Sequence, residues 1–269
     1  MSRTSTAALV ALVLLSGGAW IVGSADTSED TVTTTAALPQ TTTTTQAESP
    51  PTPAPTTTTM PATTTTEPPP PPSVAAKVSG PVEVFESPES PDPFRTLPEL
   101  TILGTPTVVS VLDDTKEGWV EAMLPGRPNG ETGWIRADQL EIFSFDREVV
   151  VDLSERLLTV YTDGIANFQT DVAIGSDRSP TPTGTFFVTD AVELTRANGP
   201  WGPFAFGLSA RSDVVTEFAG GDGIIGIHGT NQPWSIGEAA SLGCVRLPND
   251  VMATLWEIVA VGMKVTIND

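Results

Sequence analysis

One stretch of the chain, residues 225–247, decides how the rest of the sequence is interpreted: IGIHGTNQPWSIGEAASLGCVRL. It contains the only histidine, His228, and the only cysteine, Cys244, among 269 residues. Apolar residues ending at His228 are typical of a buried strand, whereas the glycine-rich segment before Cys244 lacks strand or helix periodicity. We therefore expect a strand that ends at an imidazole and, after it, a shaped loop that carries a thiol.

The two side chains suit nucleophilic catalysis. A thiol attacks as its thiolate, and a neutral imidazole is the usual base that removes its proton. Gly229 and Gly243 stand beside the pair, and glycines let backbone amides approach a reacting carbonyl and hold an oxyanion. The alternative is that Cys244 is an inert buried thiol and His228 a satisfied core group, which is the commoner state of each residue alone.

Separated motifs in this sequence resemble those of the L,D-transpeptidase (YkuD) catalytic domain family of bacterial cell-wall enzymes. The first is His228-Gly229, and the second runs from Ser241 through Gly243 and Cys244 to Arg246. The segment 181–186, TPTGTF, resembles the TPxGxF segment that precedes them in the family. The sequence departs from the family at Leu242, where a second histidine is frequent. The resemblance extends over about residues 147–269.

The resemblance implies a peptidoglycan L,D-transpeptidase that serves cell-wall biogenesis and cell shape. Cys244 attacks the carbonyl that joins the third, L-centred diamino acid of a stem peptide to the terminal D-Ala. D-Ala leaves, a thioester remains, and an amine of a neighbouring stem then forms a 3-3 cross-link. The resemblance also implies that carbapenems acylate Cys244.

The resemblance also implies a role for each member of the catalytic pair. Cys244 is the nucleophile, and His228 is the general base and later the acid that protonates the leaving amine. The group that orients the imidazole is a backbone carbonyl just after it, which here belongs to Gly229 or Thr230.

The loop residues around the thiol have several candidate roles. Backbone amides of Gly243 and Cys244 are candidates for the oxyanion hole. Arg246 either binds a stem carboxylate bidentately or forms a structural salt bridge. Ser241 bonds the loop backbone or His228, or has a purely structural role.

Three alternatives to the transpeptidase remain open. The same acyl-enzyme resolved by water makes the protein an L,D-carboxypeptidase. A non-catalytic cell-wall-binding protein is the second, since Leu242 replaces a family histidine. The third is an enzyme that attaches another protein to the cell wall, by joining the acylated diamino acid to an amine of that protein.

The fold class expected for residues 147–269 is mainly β, a YkuD-type β-sandwich with one clear helix. Asn249 is predicted to cap that helix, which is expected from about Asp250 to Val261. The segment 198–203, with two prolines and two glycines, is either a cleft wall or a plain connecting loop.

Residues 74–145 predict a small β-barrel that resembles bacterial SH3-like domains. Short alternating strands are separated by Gly and Pro, and Gly118-Trp119 and Gly133-Trp134 recur within it. The two tryptophans either form a platform for a glycan or peptide or pack within the barrel.

The N-terminal quarter is not globular. Residues 1–25 form a signal peptide or, if uncleaved, a membrane anchor, although the apolar run is shorter than the roughly 20 residues that span a bilayer. Residues 26–73 are rich in Thr and Pro and predict a disordered, extended linker. We therefore expect an exported protein of the periplasm or cell wall.

Composition and charge argue against nucleic acid and metal ions as partners. The net charge is -20, from 13 basic and 33 acidic residues, so the chain lacks the basic balance of a nucleic-acid-binding protein. One histidine and one cysteine do not predict a metal site, and no cofactor is expected. The expected partners are peptidoglycan stem peptides: a donor tetrapeptide and an acceptor amine.

Overall fold

The computed structural model describes residues 73–218 and 220–269. The predicted signal peptide or anchor and nearly all of the predicted linker lie outside the described residues. Strand β1 begins at Ser73, the last residue assigned to the linker. Within the described residues, no helix is both long enough and apolar enough to cross a bilayer.

The first seven strands form two antiparallel sheets, which together with their connecting loops we call the small sheet. The strands are β1 Ser73–Val78, β2 Val82–Val84, β3 Arg95–Leu97, β4 Val108–Asp113, β5 Trp119–Met123, β6 Thr132–Arg136 and β7 Leu140–Phe145. Five of them pair in the order β6-β5-β4-β1-β7, and β2 pairs with β3. Ala76, Val109 and Ile135 are fully buried in its core. Its resemblance to SH3-like domains stays a prediction.

Trp119 is packed by its own sheet. The Phe85 ring meets it edge to face at 5.4 Å, and the Arg136 guanidinium lies 4.5 Å above its centroid. Both contacts occupy surface that a ligand platform would need, so packing is the better-supported role for Trp119.

A second, eight-stranded sheet holds the larger core. Its part of the chain contains β8 Arg147–Asp152, β9 Leu157–Thr162, β10 Ile165–Asp171, β11 Ile174–Gly175, β12 Gly184–Glu193, β13 Phe204–Arg211, β14 Ile224–His228, β15 Ala239–Ser241, β16 Val245–Arg246, α1 Asn249–Ile258 and β17 Lys264–Asn268. The sheet order is β10-β9-β8-β17-β12-β13-β14-β16, and β11 pairs separately with β15. The predicted mainly β fold is confirmed, and α1 is the one α-helix among the described residues.

Local sequence explains several of these strands. In β8, Val149 and Val151 are fully buried and alternate with more exposed residues, as the period of two requires. Asp163 and Gly164 both have positive φ, at 51° and 75°. This matches the two-residue hairpin turn between β9 and β10.

The predicted start of the helix is within one residue of the observed one, but the predicted cap was wrong and the helix ends three residues before Val261. Helix α1 begins at Asn249, with Pro248 as the N-cap residue, and it ends at Ile258. The Asn249 side chain does not cap the helix because it bonds elsewhere. Its Oδ1 accepts from the Thr230 amide at 2.8 Å, and its Nδ2 donates to the Ala197 carbonyl at 3.2 Å. The side chain thus ties the helix to the loop that follows β14.

The helix contributes to stability through its buried face. Leu255 is fully buried in the main core, so Leu255→Ala should lower the free energy of unfolding by about 2–5 kcal/mol. Urea denaturation of the variant checks this. Glu257→Ala, on the exposed face of the same helix, is the control and should change stability by less than about 0.5 kcal/mol. Equal effects of the two variants would contradict the assigned packing.

Candidate active site

Parallel pairing of β14 with β16 brings the thiol to the histidine strand. Ile227 pairs with Val245 and His228 with Arg246, so the next pair back along the ladder is Gly226 and Cys244. Cys244 Sγ accepts a hydrogen bond from the Gly226 amide at 3.4 Å. The thiol therefore contacts the histidine strand at its backbone, two residues before the imidazole.

Gly226 lies close to the neighbouring strand and to the imidazole. A Cβ atom placed there would lie 3.0 Å from the Phe206 carbonyl oxygen and 3.9 Å from His228 Cδ2. A side chain at this position would therefore press on the Phe206 backbone and approach the imidazole. The Gly226 amide stabilises negative charge on the sulfur.

The imidazole is held in one tautomer. His228 is buried, and its Nδ1 lies 2.6 Å from the Gly229 carbonyl oxygen. A carbonyl only accepts, so Nδ1 carries the proton and Nε2 presents its lone pair. Of the two carbonyls predicted to orient the base, the structure uses that of Gly229. Thr230 instead donates its amide to Asn249 and accepts from the Gln232 amide at 3.0 Å.

Trp201 covers one face of the imidazole, a contact that sequence reasoning missed. The two rings stack with centroids 4.9 Å apart. The loop reaches this position because Gly202 packs on Gly229, where a Cβ atom on Gly202 would come within 2.6 Å of the Gly229 Cα. The available signal in the sequence was a glycine flanked by prolines in this segment. The stacking of Trp201 on the imidazole supports the cleft-wall alternative for residues 198–203.

Three hydroxyl groups hold three consecutive carbonyls of the thiol loop. Ser179 Oγ donates to the Leu242 carbonyl at 2.9 Å, and Thr181 Oγ1 donates to the Gly243 carbonyl at 2.9 Å. Ser241 Oγ donates to the Cys244 carbonyl at 2.6 Å. These bonds fix the peptide planes on both sides of Cys244. Thr181 is the first residue of the TPTGTF segment, so this segment contributes one of the bonds that hold the thiol loop.

The fixed planes select the oxyanion donor. In a trans peptide the N–H points opposite to the C=O, so the Gly243 carbonyl on Thr181 turns the Cys244 amide away from Thr181. That amide has no acceptor among the described residues. The Gly243 amide, the other predicted donor, is already bonded to Ser241 Oγ at 3.0 Å. Gly243 has φ at 116°, and of the two amides predicted as oxyanion donors only that of Cys244 is unpaired among the described residues, so the oxyanion role stays a prediction.

Ser241 and Arg246 are placed differently from each other. Ser241 is buried, and among the described residues its hydroxyl bonds only the backbone of its own loop, which is one of the predicted alternatives. Arg246 forms no salt bridge with a described carboxylate. Its Nη1 donates to Gln232 Oε1 at 3.1 Å, and its buried Nε has no partner. The guanidinium beside the thiol is thus available to an incoming carboxylate.

Burial keeps both catalytic groups neutral at rest. It lowers the pKa of His228 from 6.5 to about 4, against the opposing bond to Gly229 and with a further lowering from the Arg246 charge. Burial also raises the pKa of the Cys244 thiol, although the Gly226 amide and Arg246 act in the other direction. The resting pair is a thiol and an imidazole with its lone pair on Nε2. Among the described residues, no three His, Cys, Asp or Glu side chains form a metal-binding group.

Comparison with known proteins gives this arrangement a family. Residues 146–267 match the L,D-transpeptidase catalytic domain, YkuD. The chain is similar to the putative L,D-transpeptidase YkuD of Bacillus subtilis, at 30% identity over 154 residues that cover 55% of this chain and 85% of the relative. It belongs to the YkuD family of L,D-transpeptidases.

Other members are similar over the same region. The putative L,D-transpeptidase YqjB of Bacillus subtilis is 35% identical over 128 residues, covering 46% of this chain and 72% of the relative. Among solved structures, the catalytic domain of an E. faecium L,D-transpeptidase matches at 26% identity with a TM-score of 0.33, covering 45% of this chain and 96% of that domain.

The hydroxyl–carbonyl contacts of the YkuD-type site can be tested one at a time. Thr181 Oγ1 also accepts a hydrogen bond from the Gly175 amide at 2.8 Å. Thr181→Val keeps the shape of the side chain but leaves both the Gly243 carbonyl and the Gly175 amide without this partner. We expect a loss of about 1–3 kcal/mol in unfolding free energy and a slower reaction of Cys244 with electrophiles. Thr183→Val changes an exposed threonine of the same segment and should have neither effect.

Acid should destabilise the protein through His228. Its folded pKa of about 4 lies below the unfolded value of 6.5, so between these pH values the unfolded chain binds the extra proton. Neutral His228 therefore makes its full contribution to the free energy of unfolding above pH 6.5. This contribution, about 3 kcal/mol, is lost as the pH falls towards 4. Urea denaturation from pH 7 to 4 measures it against His228→Gln, which should lack this component. Parallel curves for the two proteins would contradict the assignment.

Proposed function

We propose that this YkuD-family protein is a peptidoglycan L,D-transpeptidase that forms 3-3 cross-links through a Cys244 thioester. The observation that supports it most is the neutral thiol of Cys244 beside its own unpaired backbone amide and the oriented imidazole of His228. This arrangement supplies a nucleophile, a base and an oxyanion donor within one loop and one strand.

Acylation begins when Cys244 Sγ attacks the carbonyl carbon between the diamino acid and D-Ala of a donor tetrapeptide. The thiol proton moves to His228 Nε2, and the Cys244 amide donates to the oxygen that becomes negative. Collapse of the tetrahedral intermediate breaks the bond to D-Ala. His228 returns its proton to the departing amine, and a thioester remains.

The second half uses the same groups in reverse. An amine of a neighbouring stem attacks the thioester carbonyl and passes a proton to His228. The carbon–sulfur bond breaks, the thiolate takes the proton back, and a new amide joins two diamino acids. Water in place of the amine gives a tripeptide, which is the carboxypeptidase outcome. Both need His228 alone as base, so Leu242, which is exposed, does not remove a required group.

Arg246 is the proposed carboxylate-binding residue of the donor. Its guanidinium has a buried Nε without a partner and no ion pair among the described residues. It projects from the strand that follows Cys244, so a stem carboxylate bound there fixes the scissile bond relative to the sulfur. The protein is proposed to act outside the cytoplasmic membrane, where its stem-peptide partners are.

Product analysis tests the function. The protein is incubated with a disaccharide-tetrapeptide, and the products are identified by mass spectrometry. We expect a dimer that lacks one D-Ala from the native protein and from Glu257→Ala, and at least a 1,000-fold loss in Cys244→Ala, on the order reported for removal of a catalytic nucleophile.

The other outcomes separate the alternatives. A Cys244-dependent tripeptide monomer without dimer would replace the transpeptidase with a carboxypeptidase. Full cross-linking by Cys244→Ala would exclude the thioester. If no product depends on Cys244, a wall-binding role of the small sheet becomes the better account.

A further inference from the structure

A turn of the small sheet docks on the edge of the catalytic sheet. Residues 125–130 connect β5 to β6, and the Gly126 amide donates to the Ser209 carbonyl of β13 at 3.2 Å. Asn129 forms a reciprocal pair with the backbone of Arg211: Nδ2 donates to its carbonyl at 2.8 Å, and Oδ1 accepts from its amide at 2.7 Å. The pairing of β13 with β14 is interrupted between Gly207 and Arg211 and resumes where Arg211 pairs with Ile224, so the turn bonds Ser209 within this gap and Arg211 at its end.

Arg127, in the middle of this turn, joins both ends of one catalytic-domain loop. We call residues 212–218 and 220–223, which connect β13 to β14, the β13–β14 loop. Arg127 Nη2 donates to the Ser212 carbonyl at 2.6 Å and to the Asp222 carbonyl at 3.1 Å. A single charged group thus bridges the first and last parts of the loop.

The loop's ends also bond each other. The Ser212 amide donates to the Gly223 carbonyl at 2.9 Å, and Arg211 Nε lies 2.6 Å from Asp222 Oδ1. Arg127 therefore acts on a loop whose ends already meet, and its two bonds set how the loop is oriented relative to the small sheet.

The β13–β14 loop carries an aromatic contact to the active site. Phe218 lies 6.0 Å from Trp201 between ring centroids, and Trp201 stacks on His228. Phe218 and Gly221 exchange two backbone hydrogen bonds of 2.9 Å, which fix the position of the phenyl ring. Ile102 of the small sheet lies against Gly221. An unbroken series of contacts thus leads from Arg127 through Phe218 and Trp201 to the imidazole.

We propose that Arg127 is a positioning residue for the active site: it holds the β13–β14 loop so that Phe218 keeps Trp201 stacked on His228. The small sheet is then a structural part of the catalytic site in addition to any wall contact it makes. The proposal rests on the proposed function only in taking His228 as the base.

The consequence concerns the solvation of His228. Trp201 excludes water from one face of the imidazole, and burial is the main cause of its low pKa. Without Arg127 the loop loses two charge-assisted hydrogen bonds, the aromatic stack loosens, and water reaches the ring. Hydration favours the charged imidazolium, so the pKa of His228 should rise towards its ordinary value.

The other groups near the imidazole are unaffected by the substitution. Arg246 on β16 is the charged side chain whose field acts on His228, and Cys244 is the other titratable group of the site. The Gly229 carbonyl holds Nδ1. None of these residues contacts Arg127 in the described structure, so a change in the titration of His228 would be transmitted through the loop.

The test uses the single histidine of the chain, whose imidazole resonances are followed by NMR as a function of pH in the full-length protein. Arg127→Met keeps the aliphatic stem and removes the two bonds. Lys116→Met is the matched control, because it removes a cation of the small sheet whose ion pair, within residues 73–218 and 220–269, is with Glu89 alone. We expect the midpoint to rise by about one pH unit in Arg127→Met and to be unchanged in Lys116→Met.

A double-mutant cycle distinguishes transmission through Trp201 from a general loosening. Trp201→Leu alone should raise the midpoint, and adding Arg127→Met should raise it little further, because both act through one stack. An unchanged midpoint in Arg127→Met would overturn the proposal, as would a shift that adds in full to that of Trp201→Leu. The NMR titration does not depend on turnover, so failure of the transpeptidase assignment would appear separately, in the products of Cys244→Ala.

Discussion

The parallel pairing of β14 with β16 is the constraint on which the site depends. Cys244 and His228 belong to different segments, and the ladder that pairs His228 with Arg246 places the thiol against Gly226. The sulfur accepts a hydrogen bond from the Gly226 amide, two residues before the imidazole. The thiol, the imidazole and the Arg246 guanidinium are therefore all positioned by these two short strands and the residue that precedes β16.

The loop before Cys244 fixes the orientation of the peptide groups around the thiol. Hydroxyls of Ser179, Thr181 and Ser241 hold three successive carbonyls, which leaves the Cys244 amide without an internal acceptor. Burial keeps the thiol and the imidazole neutral until a substrate arrives. Such a site develops charge only during the reaction, when the fixed amide and Arg246 are already in place to stabilise it.

Much of this was predictable from the sequence because it depends on local pattern. The motifs around His228 and Cys244 indicated the family and a mainly β fold, and the short strands separated by Gly and Pro in residues 74–145 indicated a second β unit. The contacts of Asn249, Trp201 and Arg127 were not predictable, since each joins segments far apart in the chain. Asn249 has good capping chemistry, but its amide serves the Thr230 backbone instead. The hydrogen bond from the Gly243 amide to Ser241 Oγ was likewise not predicted from the motif.

The covalent state of Cys244 tests the central claim most directly. The protein is incubated with a carbapenem, and intact mass spectrometry with peptide mapping locates any adduct. The account predicts one adduct per chain on Cys244, its absence in Cys244→Ala, and much slower formation in His228→Gln. An unmodified native protein, or an equal rate in His228→Gln, would contradict an activated thiol served by His228.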